Sequence, residues 1–203
     1  MARGELRAAL ALASRFDPKA LLIAVDGGLA TCRALRRRPD LFVGDCDSAP
    51  RPPRGVGSRI YPVAKNFSDV SGALREARGL GADVAVLAGL VGGRLDHEWA
   101  NLLEAGAAAG AFSGLIAPSS RGLVVITAHG VRARTTPQRL VSVFTLGRGA
   151  RVSLRGTAWT LSKATLAPGS LGLSNLTGAR LELDVHDGVA MVVFPAPDQR
   201  RIR

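Results

Sequence analysis

Three short segments of the sequence combine carboxylates with glycine, serine or basic side chains. They are residues 44–48 (Gly-Asp-Cys-Asp-Ser), residues 65–69 (Lys-Asn-Phe-Ser-Asp) and residues 92–97 (Gly-Gly-Arg-Leu-Asp-His). The chain has only 16 acidic residues against 27 basic ones, yet the segments hold four aspartates: Asp45, Asp47, Asp69 and Asp96. Clustered carboxylates beside glycine-rich turns suit a divalent cation that holds a polyphosphate. The segments therefore predict an enzyme that uses a nucleotide.

The first part of the chain alternates between predicted strands and helices. Apolar runs predict strands at residues 21–25, 41–43, 84–88, 115–117 and 123–127. Periodic apolar patterns predict helices at residues 29–37, from Ser68 or Asp69 to residue 78, and at 96–109. Continuous apolar strands separated by helices are typical of a parallel sheet that is covered on both faces.

The pattern changes near His129, after which no helix is predicted. Short β runs follow at residues 140–146, 151–154, 158–161, 181–185 and 189–194, and Asp187-Gly188 predicts a hairpin turn between the last two. The expected fold is therefore α/β: a parallel-sheet nucleotide-binding domain (residues 1–130) followed by a small antiparallel β-sandwich (residues 131–203).

Ligands of open parallel sheets bind at the carboxyl ends of the strands. Asp26, Asp45 and the loop at residues 92–93 follow predicted strands, so we expect them to converge. Asp45 and Asp47 are two residues apart, and an extended backbone points both side chains the same way. They are suited to hold Mg²⁺, with Asp69 and Asp96 completing the site or orienting its waters.

Taken singly, each of these signals has a simpler explanation. Asp-Gly-Gly at residues 26–28 is usually a turn, Asp-x-Asp is often a solvated turn, and Ser68-Asp69 is usually a helix cap. His97 at a helix start is more often a surface residue than a catalytic base. The order of the signals and their positions at strand ends make the combination specific.

Composition argues against several other classes of protein. The net charge is +11, but only residues 36–38 and 200–201 form basic runs. No aromatic residues interleave with those runs, so we do not expect nucleic-acid binding. No apolar run approaches the roughly 20 residues that cross a membrane, and the start lacks a signal-peptide core. We expect a cytoplasmic protein whose Cys32 and Cys46 are reduced packing residues.

The sequence resembles the thiamine pyrophosphokinase family. The similarity runs, in family order, through residues 25–28, 39–48, 65–69, 92–97 and 100–102, and covers the chain from about residue 20 to 194. In the β half, Trp159 and residues 172–175 (Gly-Leu-Ser-Asn) resemble the positions on the substrate side of that family.

The resemblance implies a homodimer in which each thiamine lies between the nucleotide domain of one subunit and the sandwich of the other. It implies transfer of a pyrophosphoryl group from ATP to the thiamine hydroxyl, leaving AMP, with Mg²⁺ as cofactor. Asp69 or Asp96 would accept the hydroxyl proton. Trp159 is either a stacking surface for the cationic thiazolium or a core tryptophan.

The resemblance also implies roles for individual residues. The catalytic and metal-binding residues would be Asp45, Asp47, Asp69 and Asp96. The nucleotide side would comprise Asp26, Gly27, Gly28, Lys65, Ser68, Gly93, Arg94, His97 and Asn101. The substrate side would comprise Trp159, Ser174 and Asn175.

The sequence departs from the family's usual residues in the second motif and at two other positions. The second motif usually reads Lys-Asp-x-Thr-Asp, whereas Asn66 here removes one negative charge. Cys46 stands where an aromatic residue is common, and Trp99 replaces a usual aliphatic residue. Two alternatives therefore stay open: a pyrophosphokinase that acts on another hydroxymethyl acceptor such as a pterin, and a non-enzymatic nucleotide-binding module.

Overall fold

A computed structural model describes residues 3–46 and 52–196. Three short strands form a parallel sheet in the order β1-β2-β3. They are β1 (Ile23–Val25), β2 (Leu41–Gly44) and β3 (Gly57–Ile60). Val25 lies opposite Val43, and Gly44 lies opposite Ile60, so all three strands end at one edge of the sheet.

Four α-helices accompany the strands. They are α1 (Arg3–Phe16), α2 (Gly28–Ala34), α3 (Asp69–Gly79) and α4 (Leu95–Ala108), and a 3₁₀ turn (Ala109–Ala111) follows α4. The predicted helices are confirmed, whereas α1 was not predicted. Helix α3 begins where expected because the extended Ser68 accepts a hydrogen bond from the Ser71 N–H at 3.3 Å. None of the helices within the described ranges is both long and apolar enough to cross a membrane.

Seven strands form a larger mixed sheet. They are β4 (Val84–Val86), β5 (Gly114–Ser119), β6 (Gly122–Thr127), β7 (Gly130–Arg134), β8 (Leu140–Thr157), β9 (Leu161–Leu166) and β10 (Asn175–Pro195). The order is β4-β5-β6-β10-β8-β9, and β7 pairs with β10. Strand β4 runs parallel to β5, whereas β5 and β6 are antiparallel.

Two predictions about the β half were wrong. Asp187-Gly188 is not a hairpin turn, because β10 continues through it and Gly188 lies opposite Ala150. Gly188 has φ +77°, and a Cβ there would lie 2.3 Å from the Gly149 carbonyl oxygen. Glycine is therefore needed at this irregular position within a long strand. Residues 158–160 are a bend rather than a strand, and β9 begins at Leu161.

The prediction that residues 84–88 join one N-terminal parallel sheet was also wrong. Strand β4 pairs with β5, and a cleft of about 1530 Å³ is lined by residues of both β1 and β4. Apolar patterns identify strands but not their partners, which explains the difference. The chain is a mixed α/β protein with a small parallel sheet and a larger mixed sheet. The predicted division at residue 130 crosses the larger sheet, because β6 pairs with β10, and it stays a prediction.

Candidate active site at the edge of the parallel sheet

The small sheet and helix α3 bring four charged residues of the motifs together. Asp26 follows β1 and Asp45 follows β2, whereas Lys65 lies in the loop after β3. Asp69 is the first residue of α3, which packs against both β1 and β2. The sheet edge therefore gathers side chains that are up to 43 residues apart (69 − 26 = 43) in the sequence.

Close approach of the first two strand ends fixes Asp26 beside the end of β2. The Asp26 N–H donates to the Val43 carbonyl at 2.9 Å, and Asp26 adopts the left-handed conformation with φ +39°. A Cβ at Gly44 would lie 3.2 Å from the Asp26 Cα and 3.1 Å from the Phe42 ring. Glycine at position 44 therefore allows the two strand ends to meet.

Lys65 is the centre of the charged cluster. Its Nζ lies 2.6 Å from Asp45 Oδ2 and 3.3 Å from Asp69 Oδ1. The side chains of Lys65 and Asp45 are each only 8% exposed. The hydrogen bond to Asp45 is the main cause that raises the Lys65 pKa. Lys65 is therefore an ammonium ion that compensates carboxylates removed from bulk water.

Asp69 has a different electrostatic environment from an exposed aspartate. Burial raises its pKa, the ammonium of Lys65 opposes this rise, and the charges of Asp45 and Asp26 add to it. Its Oδ1 atom is buried and makes no hydrogen bond, although Lys65 Nζ is nearby. A carboxylate with a raised pKa is better suited to accept a proton near neutral pH.

Asp96 lies in the first turn of α4 and pairs with Arg94. Arg94 Nη2 lies 2.6 Å from Asp96 Oδ2, and the two side chains are 75% and 62% exposed. The hydrogen bond from Arg94 lowers the Asp96 pKa. His97 is exposed in the first turn of α4. Both aspartates are paired with a cation, but the Asp96 side chain is 62% exposed, whereas the Asp69 side chain is 23% exposed.

The glycines of the motifs leave open space. A Cβ at Gly27 or Gly93 would have no neighbour within 4 Å, and Gly28 begins α2. Gly92 adopts φ +105°, and its N–H donates to the Glu98 carboxylate. Asp47 lies outside the described residues.

Helix α4 anchors the start of α3 through Glu104, which sequence reasoning missed. The Ser68 N–H donates to Glu104 Oε1 at 3.3 Å, and the Ser68 hydroxyl donates to Glu104 Oε2. One turn earlier, Asn101 Nδ2 donates to the Leu90 carbonyl at 3.5 Å. Glu104 thus connects α4 with the residue that immediately precedes Asp69.

A recess of about 670 Å³ adjoins Lys65. Tyr61 and Phe67 pack edge to face in it, with ring centroids 5.1 Å apart, and the Arg75 guanidinium lies 4.0 Å from the Phe67 centroid. Asn66 is exposed and lines the recess. The recess therefore combines aromatic surface with a cation next to the charged cluster.

The donor chemistry of the cluster fits magnesium that is shared with a phosphate ligand. Within residues 3–46 and 52–196, no three His, Cys, Asp or Glu side chains are placed to hold a metal by themselves. Mg²⁺, however, usually takes one or two carboxylates and completes its shell with waters and phosphate oxygens. Asp45 and Asp69 supply hard oxygen atoms, and Asp69 Oδ1 is buried without a hydrogen bond.

The residues predicted on the substrate side lie around the turn between β8 and β9. Trp159 is 63% exposed, which contradicts a core role for it. Asn175 is only 5% exposed and hydrogen-bonds to the Trp159 backbone. Ser174 adopts φ +59°, and its N–H donates to the Ser142 hydroxyl at 3.0 Å. The turn therefore presents an aromatic ring to solvent from a braced backbone.

Comparison with known proteins supports the assignment of the α/β half. Residues 12–107 match the family model described as thiamin pyrophosphokinase, catalytic domain. No curated protein matches the chain in sequence. Residues 12–107 include Asp26, Asp45, Lys65, Asp69 and Asp96.

Solved structures share the fold. Thiamine pyrophosphokinase from Bacillus subtilis is 18% identical with a TM-score of 0.74, and the alignment covers 88% of each chain. The enzyme from Geobacillus thermodenitrificans is 20% identical (TM-score 0.71), covering 87% of this chain and 86% of its own. The enzyme from Candida albicans is 13% identical (TM-score 0.66), covering 87% and 81%. The part of the chain that holds the charged cluster therefore matches the catalytic domain of thiamine pyrophosphokinases, and the chain shares its fold with thiamine pyrophosphokinases of known structure.

Proposed function

We propose that the chain is a magnesium-dependent thiamine pyrophosphokinase that transfers the pyrophosphoryl group of ATP to the thiamine hydroxyl and releases AMP. The observation that carries the proposal is the Lys65 cluster with Asp45 and Asp69 at the carboxyl edge of the parallel sheet. It lies inside the segment that matches the family's catalytic domain. Catalysis of such transfers rests on positioning and on neutralising phosphate charge.

Cations of this chain would bind and orient the triphosphate. Lys65 lies among the carboxylates, and the exposed guanidinium of Arg94 can offer a planar fork to phosphate oxygens. Magnesium, when bound by Asp45 and Asp47, supplies positive charge that offsets the charge on the transferring group. The net charge of +11 favours the approach of an anionic nucleotide.

Asp69 is the better candidate for the proton acceptor. The hydroxyl oxygen of the acceptor forms the new bond to the β-phosphorus, the bond from that phosphorus to the AMP oxygen breaks, and the hydroxyl proton passes to a carboxylate. Burial raises the Asp69 pKa, whereas the hydrogen bond from Arg94 lowers the Asp96 pKa. A base with the higher pKa holds the proton more firmly, which supports Asp69 in this role.

Trp159 supports thiamine as the acceptor. Its ring is 63% exposed and can stack on a planar, cationic thiazolium. The proposal thus places residues from both halves of the fold around one acceptor.

We further propose that the protein is a homodimer. Helix α4 carries Leu95, Trp99 and Leu103 at intervals of four residues, and they are 80%, 60% and 45% exposed. Such an apolar stripe on one helix face is typical of an interaction surface.

A matched pair of variants tests the proposed chemistry. We expect Asp69→Asn to abolish formation of AMP from ATP in the presence of thiamine while the protein still binds ATP. Asp187→Asn, at an exposed position of β10, removes the same charge and should leave turnover unchanged. Calorimetry would measure ATP binding, and chromatography would measure AMP. Equal turnover by the two variants would contradict the proposed site, and AMP formed only with a hydroxymethyl pterin would contradict thiamine as acceptor.

A further inference from the structure

The turn that carries Trp159 is held by a buried amide. Asn175 is 5% exposed, its Oδ1 accepts the Trp159 N–H at 3.0 Å, and its Nδ2 donates to the Trp159 carbonyl at 2.7 Å. The same Oδ1 also accepts the Leu176 N–H at 2.9 Å. The oxygen is saturated and the nitrogen is engaged, so the side chain has little capacity left for a ligand.

Other bonds brace the same turn from both sides. The Thr157 hydroxyl donates to the Trp159 carbonyl at 2.8 Å, and the Ala158 N–H donates to the Leu176 carbonyl at 2.9 Å. The Trp159 carbonyl therefore accepts two side-chain hydrogen bonds and its N–H donates a third. The backbone of Trp159 is fixed, whereas its ring remains 63% exposed.

An exposed aromatic ring on a fixed backbone is useful for binding a planar molecule. Ordering a mobile segment on binding costs affinity, and a ring whose backbone is already held in place avoids part of that cost. A tryptophan with no such role would be expected to bury its large apolar surface. The bracing and the exposure of Trp159 together point to preorganisation for a ligand.

We propose that Asn175 is a positioning residue that sets the orientation of Trp159 for the acceptor and makes no contact with it. This refines the sequence-based prediction that Asn175 binds substrate directly, and it rests on the proposed function for the identity of the acceptor. Removing the amide should free the turn and loosen the Trp159 ring. Binding of the acceptor should weaken, and binding of ATP, whose candidate residues lie at the edge of the parallel sheet, should not change.

Fluorescence offers a test that does not depend on turnover. The chain has two tryptophans, so Trp99→Phe leaves Trp159 as the only one. In that background we expect Asn175→Ala to lower the fluorescence anisotropy of Trp159 in the absence of any ligand. Thr157→Val, which removes one of the two side-chain bonds to the Trp159 carbonyl, should lower it by a smaller amount.

A matched control separates positioning from general weakening of β10. Thr177 is 2% exposed in the same strand, and its hydroxyl donates to the Thr136 carbonyl at 2.7 Å. Thr177→Val should destabilise the fold but leave Trp159 anisotropy unchanged. For the thiamine KM, we expect a rise of roughly three- to tenfold in Asn175→Ala, with the ATP KM unchanged, from the lost preorganisation of one side chain.

The outcomes distinguish this inference from the proposed function. Unchanged anisotropy in both Asn175→Ala and Thr157→Val would overturn the positioning role, whatever the turnover. A loosened ring with an unchanged thiamine KM would overturn the claim that the position of Trp159 serves the acceptor. A wild type that makes no thiamine diphosphate would overturn the proposed function, and the anisotropy would still decide what Asn175 does.

Discussion

Replacing Lys65 by methionine removes the cation at the centre of the charged cluster and nearly keeps the side-chain volume. The carboxylate of Asp45 loses an ammonium 2.6 Å away, and Asp69 loses one 3.3 Å away. Because Lys65 and Asp45 are both only 8% exposed, water screens the loss poorly. Removing one partner of a buried ion pair lowers the free energy of unfolding by about 3–5 kcal/mol. At about 2–4 °C per kcal/mol for a chain of this size, the unfolding temperature should fall by about 6–20 °C.

Urea unfolding followed by circular dichroism at pH 7, in the presence of a chelator, measures this cost. Two further variants provide comparisons for this measurement. Lys65→Met combined with Asp45→Asn should recover part of the loss, because the amide removes the more buried of the two carboxylates that face the methionine, whereas Asp69 stays. Arg155→Met breaks ion pairs with Glu182 and Asp184 in which the Arg155 side chain is 54% exposed, and it should cost much less than Lys65→Met because water screens these pairs.

The pH dependence of the Lys65→Met penalty follows from the same reasoning. Because the Lys65 pKa is raised above its unfolded value, the lysine keeps its stabilising charge at every pH below that unfolded value and loses it as the pH rises through the folded value. Its partners must also be ionised, so the penalty should shrink as the pH falls through the pKa values of the carboxyl groups. Equal costs for Lys65→Met and Arg155→Met at pH 7 would refute the buried cluster.

Four further outcomes are expected. Glu104→Ala should cost about 1–3 kcal/mol of stability, measured by unfolding, and lower kcat by about tenfold or more, because it releases Ser68 and hence Asp69; an unchanged kcat would contradict this. Because burial raises the Asp69 pKa, the loss of kcat/KM on acidification should begin at a higher pH than for an ordinary aspartate. A pH–rate profile whose acidic limb lies near about pH 4 would contradict this. Asn66→Asp should change activity by no more than roughly tenfold, because Asn66 is exposed in the recess. If a magnesium titration finds an inactive wild type and an active variant, Asn66 has disabled the site. Sedimentation should show a dimer at micromolar concentration that Trp99→Asp dissociates; a monomeric wild type that turns over thiamine would count against the dimer.

Local sequence signals predicted the individual elements of the α/β half well. The serine cap at Ser68 and the apolar periodicity after it placed α3 within a residue of its start. The partner of β4 was not predictable, because a three-residue apolar run carries no information about which strand it pairs with. The continuity of β10 was missed because Gly188 with φ +77° suits a hairpin turn and an irregular strand equally.

The part of the charged cluster that lies at strand ends and at a helix start was predictable from the sequence. Asp26 and Asp45 follow adjacent parallel strands, and the cap of α3 fixes Asp69. The bond between Glu104 and Ser68 was not predictable, because it joins residues 36 apart on two helices and no short pattern marks it. The hydrogen bonds from Asn175 to the Trp159 backbone were also not predictable, because they join residues 16 apart across a turn and no short pattern marks them.

Incubation of the protein with ATP, magnesium and thiamine tests the central proposal most directly. Thiamine diphosphate and AMP would be quantified by chromatography and mass spectrometry, with samples lacking magnesium or thiamine as controls. The proposal predicts both products in equal amounts, and only when magnesium and thiamine are present. Formation of ADP with thiamine monophosphate, or no thiamine product at all, would contradict it.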